Sequence, residues 1–170
     1  MGILNKDLIT NFTTSSFSIY KETEDVSISF TTDDKHIIHD NELYITKGCP
    51  KLSSLSYDSV LIGGLGMGVI PEWIAQNTSC SVIDVVDNNS EITHWVSSSG
   101  HLDNTINIID GDIYTYTPTR SYDLILIDIW FGGESDIIDN TYTTLETRYS
   151  GSINPGGHYY LPFLANPVTY

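Results

Sequence analysis

Apolar positions along the chain follow two rhythms. Over Phe17-Ser18-Ile19-Tyr20, Val26-Ser27-Ile28-Ser29-Phe30 and Glu42-Leu43-Tyr44-Ile45 they alternate with polar residues, the period of half-buried antiparallel strands. The connectors Glu22 to Asp25, Thr32 to Lys35 and Asp40-Asn41 are rich in turn formers, so this region reads as a small β-meander. From Val60 onward the apolar runs become nearly continuous, at Val60 to Ile62, Val82 to Val86, Ile106 to Ile109 and Leu124 to Ile129. Such runs mark strands buried on both faces of a parallel sheet. Helices are predicted over Glu72 to Gln76 and Glu91 to Ser98, with a third between Asp139 and Tyr149. A last strand, His158 to Leu161, is introduced by the turn Asn154-Pro155-Gly156-Gly157. This alternation implies an α/β unit with right-handed crossovers over residues 51–170, preceded by the meander in residues 1–50.

The strand Ser59 to Gly63 runs straight into glycines and then into a helix that opens around Val69 to Pro71. Glycine allows positive φ and lets a ligand approach the main chain without meeting a Cβ. The helix start aims free N–H groups and its positive dipole end at the turn, and a first-turn Pro71 gives up no helical hydrogen bond. Gly64, Gly66 and Gly68 read G-x-G-x-G. Val69 stands where a dinucleotide fingerprint needs its third glycine, which disfavours NAD and FAD. No Lys-Ser or Lys-Thr follows, which excludes a Walker-type phosphate loop.

Three carboxylates stand at later strand ends. The run Ser81 to Asp87 ends about twenty residues past the glycines, where a carboxylate takes both ribose hydroxyls. Asp87 is the candidate and Asp84 the fallback; Asn89 or Ser90 caps the helix that follows. Next comes Ile106-Asn107-Ile108-Ile109-Asp110-Gly111-Asp112-Ile113. The strand Tyr122 to Trp130 places Asp128 near its carboxyl end, the side on which open α/β sheets bind ligands, whereas Asp123 starts the strand and reads as structural.

The glycine turn and these carboxylates together resemble the class I S-adenosylmethionine-dependent methyltransferases, and most closely the spermidine synthase-like branch with its G-G-x-x-x-G turn and N-terminal meander. The resemblance implies a Rossmann-like fold: a mainly parallel sheet with flanking helices. Cofactor binding would fall to Gly63, Gly64, Gly66, Gly68 and Asp87, with Asp112 accepting the adenine amino group and Ile113 flanking the base. Asp128 would be catalytic, facing the cofactor or acceptor amine. The implied cofactor is S-adenosylmethionine or its decarboxylated form, and the implied reaction is methyl transfer to a small acceptor, with amines among the candidates. The loop Ile129 to Asp136 would hold that acceptor, through Trp130, Phe131, Glu134 and Asp136.

Aminopropyl transfer is the alternative, although Ile129-Trp130-Phe131 replaces the Ser-Ser-Asp pattern of spermidine synthases and Tyr142 is a loose match to their tyrosine. A non-catalytic interaction or regulatory subunit is the second alternative. The C-terminal strands of the usual sheet are missing from the pattern, which leaves an aromatic edge over His158 to Phe163. A second subunit is expected to cover that edge, giving a homo-oligomer.

Composition narrows the partners. The net charge is −15 in 170 residues, which argues against nucleic acid and against anionic membranes. No run reaches the length of a membrane span. Residues Met1 to Thr10 lack the apolar stretch of a signal peptide, and Cys49 and Cys80 form no C-x-x-C pair, so a cytoplasmic protein with reduced thiols is expected. The histidines, including the His36 and His39 pair, offer no metal-ligand spacing.

Overall fold

The structure, a computed structural model, describes residues 3–23, 25–31, 37–129, 135–161 and 168–170. A small antiparallel sheet comes first, from β1 (Phe12–Thr13), β2 (Phe17–Lys21), β3 (Val26–Thr31) and β4 (Ile37–Asn41), in the order β1-β2-β3-β4. Its third long strand corrects the expectation. Glu42 to Ile45 is not a strand but the start of α1 (Glu42–Gly48), and the strand is the segment before it. The reason is local capping joined to a distant contact. Asn41 accepts the Tyr44 N–H and closes the first turn, while Glu42 turns inward to receive the Ile3 and Leu4 N–H groups.

The main sheet contains β5 (Ser59–Gly63), β6 (Val82–Asp87), β7 (Ile106–Asp110), β8 (Tyr122–Ile127), β9 (Ile153–Tyr160) and β10 (Val168–Thr169), ordered β10-β9-β8-β5-β6-β7. β5 to β9 pair in parallel and β10 adds an antiparallel edge. The strand order reverses between β5 and β8, which opens a crevice beyond their carboxyl ends.

Helices α2 (Val69–Asn77) and α3 (Ser90–Ser99) share one apolar core with the meander, in which Phe17, Ile19 and Ile28 join Val60, Ile62, Trp73 and Trp95. The Phe17 and Trp95 rings meet at 6.0 Å, edge to face. The other side of the sheet packs Leu61, Ile125 and Ile127 against Leu145 and Tyr149 of α4 (Ser135–Tyr149). Among the described residues, no helix is long and apolar enough to cross a membrane.

The C-terminal part departs from expectation at its turn. Asn154-Pro155-Gly156-Gly157 is not a turn ahead of the last strand but lies inside β9, where the register against β8 shifts between Tyr122 and Leu124. Gly157 fits there because a Cβ would lie 2.8 Å from the Asp123 carbonyl oxygen. The β9 edge is not bare either. Thr169 and Val168 pair with His158 and Tyr159, and Tyr170 N–H donates to the Gly157 carbonyl at 3.0 Å. Over Gly156 to Tyr159 the edge is thus paired by residues 168–170, which narrows the surface that a second subunit was expected to cover; Phe163 lies outside the described residues.

Candidate nucleoside site

Hydrogen bonds that continue past the strand ends draw the sequence motifs onto one rim. Gly64 N–H donates to Val86 O at 2.8 Å, Asp128 N–H to Gly63 O at 2.7 Å, and Gly111 N–H to Asp87 O at 3.0 Å. The glycine turn, Asp87, the Gly111-Asp112 corner and Asp128 therefore occupy neighbouring carboxyl ends.

Gly64, with φ of 97°, lies against the chain after β8, and a Cβ there would stand 2.0 Å from the Asp128 carbonyl oxygen. Gly66, at φ 49°, is the opposite case, since its Cβ would meet nothing within 4 Å. The first glycine serves close packing and the second leaves open space at the rim. Gly68 closes the turn through its N–H to Leu65 O at 2.8 Å and precedes the first turn of α2.

Asp87 is oriented through both carboxylate oxygens. Oδ2 accepts Leu65 N–H at 2.8 Å and Oδ1 accepts Asn89 N–H at 2.8 Å. An ionised carboxylate has roughly four acceptor positions, so each oxygen keeps capacity for a further donor. Asp84, the fallback, is ruled out by its surroundings. It is buried and accepts from the Tyr122 hydroxyl at 2.6 Å and the Asn107 amide at 2.8 Å. Its position is within the sheet, away from the rim.

Asp112 begins the turn after β7, where Oδ1 accepts Tyr114 N–H at 2.9 Å. The Ile113 side chain is buried, and a Cβ on Gly63 would meet its Cγ1 at 2.8 Å. Asp128 is half-buried one residue past β8. Burial, reinforced by the charge of Asp128, pushes the Cys49 thiol up to about 12. Cys49 is therefore a neutral neighbour of the carboxylate and not a nucleophile.

Asp123 has a structural place, its Oδ2 accepting from Asp58 N–H, Ser59 N–H and the Ser59 hydroxyl. Tyr142 sits on α4 with its ring 5.0 Å from that of Tyr159, packed onto the sheet face. Trp130, Phe131 and Glu134 of the expected acceptor loop lie outside the described residues, as does the side chain of Asp136.

His101 has no signal in the sequence, yet it underpins the glycine turn. It is fully buried, with Nε2 3.0 Å from Met67 O and Nδ1 bonded to the Ser99 hydroxyl. A carbonyl only accepts, so Nε2 carries the proton and Nδ1 accepts from Ser99. Gly100, at φ 65°, makes this possible by ending α3 and turning the chain beneath Met67.

Burial holds the His101 imidazole below its ordinary value of 6.5, against the opposing influence of Met67 O and Glu72. The unfolded chain therefore takes up this proton at higher pH than the folded chain does, and stability falls as pH drops below about 6.5. The urea midpoint, followed by tryptophan fluorescence, is expected to decline through that range, and His101→Gln to flatten the decline. An unchanged slope in the variant would remove His101 as its source.

Known structures share this fold. The plantazolicin methyltransferase BpumL, in complex with a pentazolic desmethylPZN analog and SAH, matches with a TM-score of 0.53 at 22% identity, over 69% of this chain and 45% of its own. The N-methyltransferase NodS from Bradyrhizobium japonicum WM9 matches with a TM-score of 0.50 at 18% identity, over 70% of this chain and 64% of its own. The fold is the α/β, Rossmann-like one that these methyltransferases share. TrmN from Thermus thermophilus shares it with a TM-score of 0.53 at 15% identity, over 72% of this chain and 38% of its own. The chain thus spans less than half the length of the plantazolicin enzyme. No protein-family model matches the sequence, and no curated protein matches it.

Proposed function

We propose that the chain binds S-adenosylmethionine at the rim between β5 and β8 and directs its methyl group to a small acceptor. The observation that carries this reading is Asp87, fixed through both oxygens by Leu65 and Asn89 N–H beside a turn with open space at Gly66. A ribose needs such a group: a rigid carboxylate with acceptor capacity left over, next to main chain that a ligand can approach.

The methionine-derived sulfonium supplies an electrophilic methyl carbon, so catalysis asks mainly for alignment, plus a base where the acceptor arrives protonated. Asp87 takes the ribose hydroxyls. Asp112, at the neighbouring strand end, accepts the adenine amino group, and Ile113 holds the floor beneath that corner. Asp128, half-buried at the end of β8, orients the acceptor and receives its proton. An amine suits it, because a cation approaching a chain of net charge −15 is drawn in and a phosphate is repelled.

Calorimetric titration with S-adenosylmethionine, its decarboxylated form and methylthioadenosine tests the reading. Binding is expected, with Asp87→Ala weakening it about a hundredfold through loss of two charged hydrogen bonds. Asp128→Ala is expected to spare affinity and abolish turnover. Preference for the decarboxylated form redirects the assignment to aminopropyl transfer. Failure of all three ligands to bind removes the nucleoside reading.

A further inference from the structure

The N-terminal sheet reaches the nucleoside rim through a hairpin. Between β1 and β2, Thr14 N–H donates to Phe17 O at 2.8 Å, and Thr14 Oγ1 accepts the N–H groups of Ser16 and Phe17 at 3.1 Å each. Phe17 anchors this tight turn on Trp95 of α3. The polar tip then grips the first turn of the same helix. Ser15 donates to Glu91 Oε1 at 3.0 Å and Ser16 donates to Glu91 Oε2.

Ser16 is used twice, because its oxygen also accepts the Asn89 side-chain amide at 3.2 Å. Asn89 is a junction of four hydrogen bonds. Its Oδ1 caps α3 by accepting Glu91 and Ile92 N–H, its Nδ2 donates to Ser16, and its main-chain N–H donates to Asp87 Oδ1. Hydrogen bonds therefore run without a break from the hairpin to the carboxylate. The hairpin's hydroxyls also hold the Glu91 carboxyl below the usual carboxylate range, Ser16 contributing most, then Thr14, then Ser15.

We propose that Ser16 is a positioning residue of the nucleoside site: by bridging Asn89 and Glu91 it fixes the main chain that orients Asp87, so that the N-terminal sheet sets how strongly the site discriminates ribose from deoxyribose. The proposal rests on the reading of Asp87 as the ribose group. A shift of the Asn89 main chain, once its side chain is no longer pinned by Ser16, would weaken one of the two N–H donors that aim Asp87, and ligands using both ribose hydroxyls would register the change most. A serine that merely stabilised the fold would alter all ligands alike.

The test is titration of the wild-type chain, Ser16→Ala, Ser16→Thr and Ser15→Ala with methylthioadenosine and with its 2′-deoxy counterpart. Ser16→Ala is expected to weaken methylthioadenosine by about three- to tenfold, the worth of about one hydrogen bond, and to weaken the deoxy ligand, which keeps only its 3′-hydroxyl on Asp87, by less. Ser16→Thr is expected to restore discrimination, and Ser15→Ala to keep it. Should Ser16→Ala fail to fold, Glu91→Gln, which leaves the Asn89 cap in place, is expected to reduce discrimination in the same direction. Equal losses for both ligands, or no loss for either, overturn the proposal. If the wild-type chain binds methylthioadenosine but Ser16→Ala discriminates like wild type, only the positioning role of Ser16 is wrong. If the wild-type chain binds neither ligand, the ribose reading itself fails, and the role of Ser16 with it.

Discussion

Gly64→Ala is expected to abolish nucleoside binding and to destabilise the fold by about 3 to 5 kcal/mol, combining a strained backbone with a steric clash. A side chain at φ 97° is disfavoured whatever the space around it. Here the space is also occupied, since the new Cβ would stand 2.0 Å from the Asp128 carbonyl oxygen and 2.7 Å from its carbon. These are backbone atoms held by the Asp128 N–H bond to Gly63 O, so no side chain can swing aside. Relief requires the end of β8 to leave the glycine turn, which moves Asp128 and opens the crevice.

Gly66→Ala is the matched comparison, because its Cβ meets nothing within 4 Å. It is expected to cost only about 1 kcal/mol, the penalty of its left-handed φ, and to impair binding through obstruction of the ligand. Urea unfolding and nucleoside titration of the two variants separate scaffold from approach. Equal stability of the Gly64 variant and wild type would show that the β5 and β8 ends are not packed as described.

Glu42→Ala is expected to cost about 3 kcal/mol, the scale for removing one member of a buried, hydrogen-bonded charge pair. Glu42 is fully buried at the start of α1, where Oε1 accepts from Ile3 and Leu4 N–H and Oε2 pairs with Lys6 at 3.0 Å. Lys6 keeps 20% of its side chain exposed and can turn to solvent, which holds the loss below the upper end of that range. The stranded N–H groups at Ile3 and Leu4 have no such escape. Glu42→Gln retains an acceptor oxygen and is expected to recover part of the loss. Wild-type urea midpoints for both variants would show that the N-terminal segment is not tied to α1 in solution.

The position of Glu42 also explains why alternation alone points to a strand where α1 begins. Glu-Leu-Tyr-Ile alternates as a strand should, and nothing nearby announces that the glutamate will be the buried member. The partners that bury it, Ile3, Leu4 and Lys6, arrive from the start of the chain. Asp84 and Asp87 show the same limit at closer range. Both lie on β6, three residues apart, and spacing favoured Asp87 only by its place at the strand end. Burial against Tyr122 and Asn107 is what separates them.

By itself the sequence determined the α/β order, the parallel strands and the rim on which Gly64, Asp87, Asp112 and Asp128 meet. The cause is geometric: in a parallel sheet every strand ends on the same side, so a glycine or carboxylate just past an apolar run has only one edge to occupy. Only the tertiary structure decided what lies beneath and beside that rim. His101 supports the glycine turn from 34 residues away, and Ser16 reaches Asn89 across 73. Such contacts follow from how helices and the small sheet pack, and a hydrogen bond between distant residues leaves no period in the chain that makes it.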